Sequence, residues 1–160
     1  MRDPFRNPFP EHDEDRRAIW DMLVPRDIEA FLDADWSMVE DDFVSIGFYA
    51  LDARRKQNPD DWRLGFPDLP HYRDEWLRQA NDFARGRYAD DPKTAIFNAT
   101  TLEEIEISGD AALVRKKFDG GIRLEDGSFD AMNWQTLYYC RREDGRWKIA
   151  GFTGYLPHPF

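Results

Sequence analysis

Three histidines, a single cysteine and a few amides and aromatics are the side chains of this sequence whose types and spacing could carry chemistry. His71 stands between Pro70 and Tyr72 at the start of a helical segment, where an imidazole could serve as a general base; a surface histidine at a helix start is the plainer alternative. His12 and His158 fall in the terminal segments, and no H-x-H or H-E-x-x-H spacing occurs, so no metal site is expected. Cys140 lies inside a strand-like run with no base beside it, and the G-x-S-x-G, P-loop and G-x-G-x-x-G patterns are absent. Nucleophilic hydrolysis, phosphoryl transfer and nicotinamide chemistry are therefore disfavoured, and no cofactor is expected.

Asn133 and Gln135 share one face of a strand. Two amides cannot be buried cheaply without partners, so they point to a polar ligand group or ordered water. Trp20, Tyr72 and Trp76 fall on inner helix faces and Tyr49 in the first strand; they could line an aromatic pocket, although plain core packing is the more common fate of such stripes. Arg115, Lys116 and Lys117 form the only basic cluster in a strand, and Lys116 could meet an anionic ligand group or lie on a solvated edge.

The elements that must position these groups fall into two halves. Residues 1–10 hold three prolines and two phenylalanines among charges and read as an extended arm, docked through Phe5 and Phe9 or frayed. Residues 11–160 read as one domain. From 11 to 32 the apolar residues recur at helical spacing, with Pro25 forcing a kink or two abutting helices. Asp35 can cap a short helix, residues 43–51 have strand composition, and residues 52–67 read as a long loop at a pocket rim. A third helix runs from Pro70 to about Arg85. Strand signals follow at about 94–107, 111–118, 129–142 and 146–155, punctuated by Ser108-Gly109-Asp110, Asp126-Gly127 and Asp144-Gly145 as turns of an antiparallel meander. The class is α+β.

Composition narrows the function. A net charge of -10 repels a phosphate backbone, which argues against nucleic acid. No apolar run approaches the ~20 residues that span a bilayer and no signal-peptide core is evident, so no membrane partner and a cytoplasmic location are expected. Both faces of the last hairpin are apolar and aromatic. The helices can cover one of them, which leaves the other for a second copy of the chain or the arm, and a homodimer is expected.

Helices with a strand among them, a helix of LPHYRDEWLRQA type and a meander closing in DGRWKIAGFTGYLP resemble the nuclear-transport-factor-2-like superfamily, and within it the SnoaL-like group. The resemblance covers residues 13–157. It implies a cystatin-like cone, with helices packed in a strongly curved, mixed or antiparallel sheet around a deep, largely apolar pocket. The activities it implies are cofactor-independent isomerases, cyclases and dehydratases, alongside non-catalytic binding modules. By the same resemblance Asp52, after the first strand, stands where isomerase relatives keep a carboxylate base, and Tyr139 stands near the position that offers a donor to a developing oxyanion. The pocket face of the last hairpin would then be Asn133, Gln135, Leu137, Tyr139 and Phe152. A loop aspartate beside Arg54 and Arg55, and a core tyrosine, are the plainer alternatives.

Overall fold

The computed structural model describes residues 2–160; Met1, first residue of the expected arm, lies outside them. Helix α1 (Glu14–Asp21) starts on Asp13, whose carboxylate accepts from the Arg16 N–H at 3.2 Å. Pro25 cannot donate into the helix ladder, and the chain answers with a π turn over Met22–Arg26 rather than a break. The helix resumes as α2 (Asp27–Asp33) and ends where Ala34 turns left-handed at φ 51°. Asp35 then caps the short 3₁₀ turn Trp36–Met38 through the Ser37 N–H at 3.0 Å.

Residues 43–51 are not one strand. Gly47, at φ 86°, bends the chain, so Phe43 keeps a single bridge to Ile149 and only β1 (Tyr49–Asp52) is extended. The expected long loop contains a second strand, β2 (Arg63–Phe66), antiparallel to β1. The turn after β1 is closed by the Lys56 N–H donating to the Ala53 carbonyl at 2.9 Å. Its central residues, Arg54 and Arg55, have φ of 56° and 59°. Each carries a side chain in the left-handed region, at a cost of about 1 kcal/mol apiece relative to glycine.

Helix α3 (Leu69–Ala84) opens on Asp68, with Pro70 in its first turn. The stretch expected as strand from 94 is instead α4 (Pro92–Ala99), capped by Asp91, before β3 (Thr100–Ser108) begins. Strands β4 (Ala111–Arg123), β5 (Phe129–Glu143) and β6 (Arg146–Leu156) complete a six-stranded sheet in the order β2-β1-β6-β5-β4-β3. The meander from β3 to β6 is antiparallel, as expected, while β1 adds parallel to β6 and makes the sheet mixed. That parallel seam is tight: a Cβ on Gly151 would sit 2.3 Å from the Tyr49 carbonyl oxygen.

The last hairpin turns at the expected Asp144 and Gly145, at φ 54° and 76°, with Arg142 opposite Trp147 and Cys140 opposite Ile149. A bulge then shifts the pairing, so Tyr138 faces Phe152 and not Gly151. A second irregularity sets Gln135 opposite Leu156. One extra residue moves Phe152 to the face of Tyr138. The arm lies along the body: Arg2 donates to the Thr100 and Asn98 carbonyls at 2.6 and 2.9 Å, and Phe5 stacks on Phe97 at 4.7 Å. The core sits between the helices and the inner sheet face, with Leu23, Phe97 and Val114 almost wholly buried.

Candidate functional site

A cavity of about 540 Å³ separates α2, α3 and α4 from the inner faces of β4, β5 and β6. Its walls are mainly aromatic. Phe31 meets Trp76 edge-on at 5.8 Å, Tyr72 meets Phe152 at 4.9 Å, and Phe118 lies beside Trp134 at 4.8 Å. Such walls suit a flat apolar body, and the volume is that of an ordinary small-molecule site.

Among the polar side chains that line this space are Asp27, Lys116, Tyr72 and Tyr138. Asp27, the first residue after the π turn, accepts from Lys116 Nζ at 3.0 Å on Oδ2 and from Trp76 Nε1 at 3.4 Å on Oδ1. Lys116, only 1% exposed, also donates to the Leu23 carbonyl inside the π turn at 2.5 Å. The widened turn created by Pro25 thus faces the one strand cation that points inward. Tyr72 and Tyr138 supply the other two. Neither hydroxyl has a hydrogen-bond partner among the described residues, and burial, reinforced by the Asp27 charge, pushes both phenols well above their ordinary value. Two neutral O–H donors and one paired carboxylate therefore converge on a hydrophobic chamber.

The residues expected from the sequence divide between this chamber and other places. Tyr72, Trp76 and Phe152 line it. Trp20, on α1, is buried in the core and Tyr49 is half exposed on β1; neither lines the cavity. The expected pocket face of β5 is inverted, because even-numbered residues of that strand point inward. Asn133 is exposed and donates to Asp119 at 3.3 Å, on the opposite side. Gln135 is buried there with its amide satisfied, accepting from Arg115 at 2.9 Å and donating to the Pro157 carbonyl at 2.8 Å. Tyr139 is tied to the Thr153 hydroxyl on that same outer face. Phe152 escapes the inversion through the bulge.

Asp52 and His71 lie together, but in a second, outer cleft of about 840 Å³. Asp52 accepts from the Arg54 N–H at 2.9 Å and faces Arg63 at 3.6 Å. His71 is largely exposed, its Nδ1 2.6 Å from Asp68. Arg78, Gln79 and Tyr155 belong to the walls of both spaces, which adjoin there. Gln79 spans that shared wall, donating to the Tyr155 hydroxyl at 2.7 Å and to Glu75 at 2.8 Å. Arg78 grips Glu75 through two contacts of 2.7 Å, which holds the Glu75 carboxyl below its ordinary value.

Sequence reasoning passed over Asp27 and Tyr138. Asp27 was legible: it interrupts the apolar series Leu23, Asp27, Phe31 at steps of four, which puts a carboxylate on a buried helix face. Among the described residues no group of three or more His, Cys, Asp or Glu side chains is arranged to hold a metal ion.

A cavity enclosed between helices and a mixed sheet, with a polar cluster at its inner end, defines a pocketed α+β protein. No protein-family model matches the chain, and no curated protein matches it. Solved structures do. An NTF2-like protein of unknown function from Shewanella baltica OS155 aligns at a TM-score of 0.57 with 16% identity, over 91% of this chain and 96% of that one. A conserved protein from Planctomyces limnophilus DSM 3776 aligns at 0.58 with 19% identity, over 89% and 95%. An NTF2-like protein with a cystatin-like fold from Novosphingobium aromaticivorans aligns at 0.54 with 13% identity, over 90% and 82%. The chain has the NTF2-like, cystatin-like fold. No helix among the described residues is long and apolar enough to cross a membrane.

Proposed function

We propose that this chain binds a small, largely apolar molecule in the inner cavity and moves protons on it without a cofactor, as an isomerase, cyclase or dehydratase would. The observation that carries this reading is the pair of buried phenols, Tyr72 and Tyr138, unpartnered beside the Asp27 carboxylate. In the reaction a proton leaves the carbon next to a carbonyl for an Asp27 oxygen. The resulting enolate oxygen takes hydrogen bonds from the two O–H groups, which a dry site strengthens. Asp27 then returns the proton to carbon. SnoaL-like affinity is part of the proposal and rests on the sequence pattern.

The test is solvent deuterium exchange at the α-carbon of ketone probes such as tetralone, followed by NMR. The wild-type protein is expected to accelerate it, Asp27→Asn to abolish it, and Tyr138→Phe to slow it by about 10²-fold. Lys116 favours a second reading, because its ammonium already occupies Asp27 Oδ2, as in a rigid binding module. Tight probe binding without exchange would decide for that module.

We also propose that the outer sheet face, where Leu113 is half exposed, meets a second copy of the chain in the cytoplasm. Sedimentation equilibrium should give a dimer that Leu113→Glu dissociates; a monomeric wild type would overturn this.

A further inference from the structure

The outer cleft carries an imbalance that the inner cavity lacks. Its acidic walls are each answered: Asp52 faces Arg63 at 3.6 Å, Glu75 is gripped by Arg78 at 2.7 Å, and Asp74 is bonded by Arg73 at 3.1 Å. Arg54 and Arg55 also line it, and neither has a carboxylate within ion-pairing distance among the described residues. The two arginines are consecutive in the chain and share this cleft. The backbone sustains strain to put them there, since both residues hold positive φ at a turn where asparagine and glycine would sit without cost. Arg55 lies over Trp134 with its guanidinium carbon 5.5 Å from the ring centroid, and Trp134 is itself a wall of the inner cavity. The strained turn therefore lies against the wall that the two spaces share, with the Arg55 N–H donating to the Tyr155 carbonyl at 2.7 Å.

We infer that Arg54 and Arg55 form an anion subsite at the mouth, so that the molecule held in the inner cavity is amphipathic, with an apolar body inside and a carboxylate or other oxyanion at the rim. This rests on the cavity reading above and adds the charge of the ligand to it. Planar guanidinium groups match a carboxylate in geometry as well as charge. Aromatic walls below and paired cations above then select one orientation.

The test uses naphthylacetate and its neutral isostere naphthylacetamide, titrated calorimetrically into wild-type protein and into Arg54→Asn/Arg55→Gly. That variant replaces the strained pair with the residues the turn prefers, so it should melt at a higher temperature and cannot fail for want of folding. Wild type should bind the acid about tenfold tighter than the amide, with the preference shrinking as salt is added. The variant should bind both equally, at the wild-type affinity for the amide. Equal binding of acid and amide by wild type, or an acid preference that survives in the stabilised variant, overturns the anion subsite and leaves the cavity standing. Binding of neither probe overturns the cavity reading and the subsite with it.

Discussion

The two ends of the cavity hold similar chemical groups in opposite states. At the inner end the ammonium of Lys116 is 1% exposed and its partners, Asp27 and the Leu23 carbonyl, are fixed by a helix turn. At the mouth Asp52 and Arg63 are also an ion pair, but 3.6 Å apart, with the arginine side chain 63% exposed. The two cations differ most: water reaches the Arg63 guanidinium but not the Lys116 ammonium, whereas the two carboxylates are both only partly exposed. Single substitutions should therefore register in stability at the inner end, whereas at the mouth they should register mainly in what binds.

The largest expected effect is that of Lys116→Met. The replacement keeps the shape of the side chain but leaves a partly exposed Asp27 carboxylate and a backbone carbonyl without their cation, at a cost of about 2 kcal/mol. Urea unfolding should show the midpoint falling with little change in slope. Removing both charges in Lys116→Met/Asp27→Leu should recover most of that loss. If the double variant is as unstable as the single one, the pair is not the source of the effect, and the contrast between the two ends fails.

How far the sequence revealed this arrangement depended on the kind of signal each part carries. The helical period with Pro25 located α1 and α2, and Asp144-Gly145 located the last turn, because local chemistry alone decides those features. Helix α4 was misread as strand for its Ile96 and Phe97, although Asp91-Pro92 is a cap followed by a first-turn proline and could have corrected it. Strand β2 had no such signal. Arg63–Phe66 is extended because β1 offers it an edge, which is a tertiary cause. The face of β5 was lost for the same reason. Period two separates Asn133 and Gln135 from Trp134 and Thr136 but does not say which set looks inward, and the bulge before Phe152 breaks the period in the partner strand. The candidate acid moved from Asp52 to Asp27 because the loop after β1 closes an outer cleft, not the chamber.

The same contrast should divide the pH dependence of stability. Tyr72 and Tyr138 have folded pKa values raised by burial, so their contribution is complete below the ordinary value of 10.0 and is lost as pH rises above it, when only the unfolded chain ionises freely. Glu75, at the mouth, has its folded pKa lowered by Arg78, so its contribution is complete above its ordinary 4.5 and is lost as pH falls through the lower folded value. The inner end thus contributes to the alkaline limb, alongside Tyr88, Cys140 and Tyr155, and Glu75 contributes to the acid limb, alongside lowered carboxyls elsewhere such as Asp15, Asp91 and Glu143. Circular dichroism against pH should show Tyr138→Phe flattening the alkaline limb and leaving the acid limb unchanged, with stability at neutral pH altered by less than about 0.5 kcal/mol because no protein hydrogen bond is lost. Glu75→Gln should do the converse. Early rise of tyrosinate absorbance for all six tyrosines, before unfolding, would contradict the buried state of the two phenols.

The smallest effect expected is at Asp52 and Arg63. The guanidinium is mostly in water, so Asp52→Asn or Arg63→Gln should change stability by no more than about 0.5 kcal/mol, and added salt should erase even that. Asp52→Asn still has a use, because it removes the carboxylate nearest Arg54 while its amide oxygen can keep the bond from the Arg54 N–H. With one negative charge fewer beside the two arginines, naphthylacetate should bind somewhat tighter and naphthylacetamide just as before. Loss of activity or of amide binding in Asp52→Asn would instead return the chemistry to the outer cleft and reverse the roles assigned to the two ends.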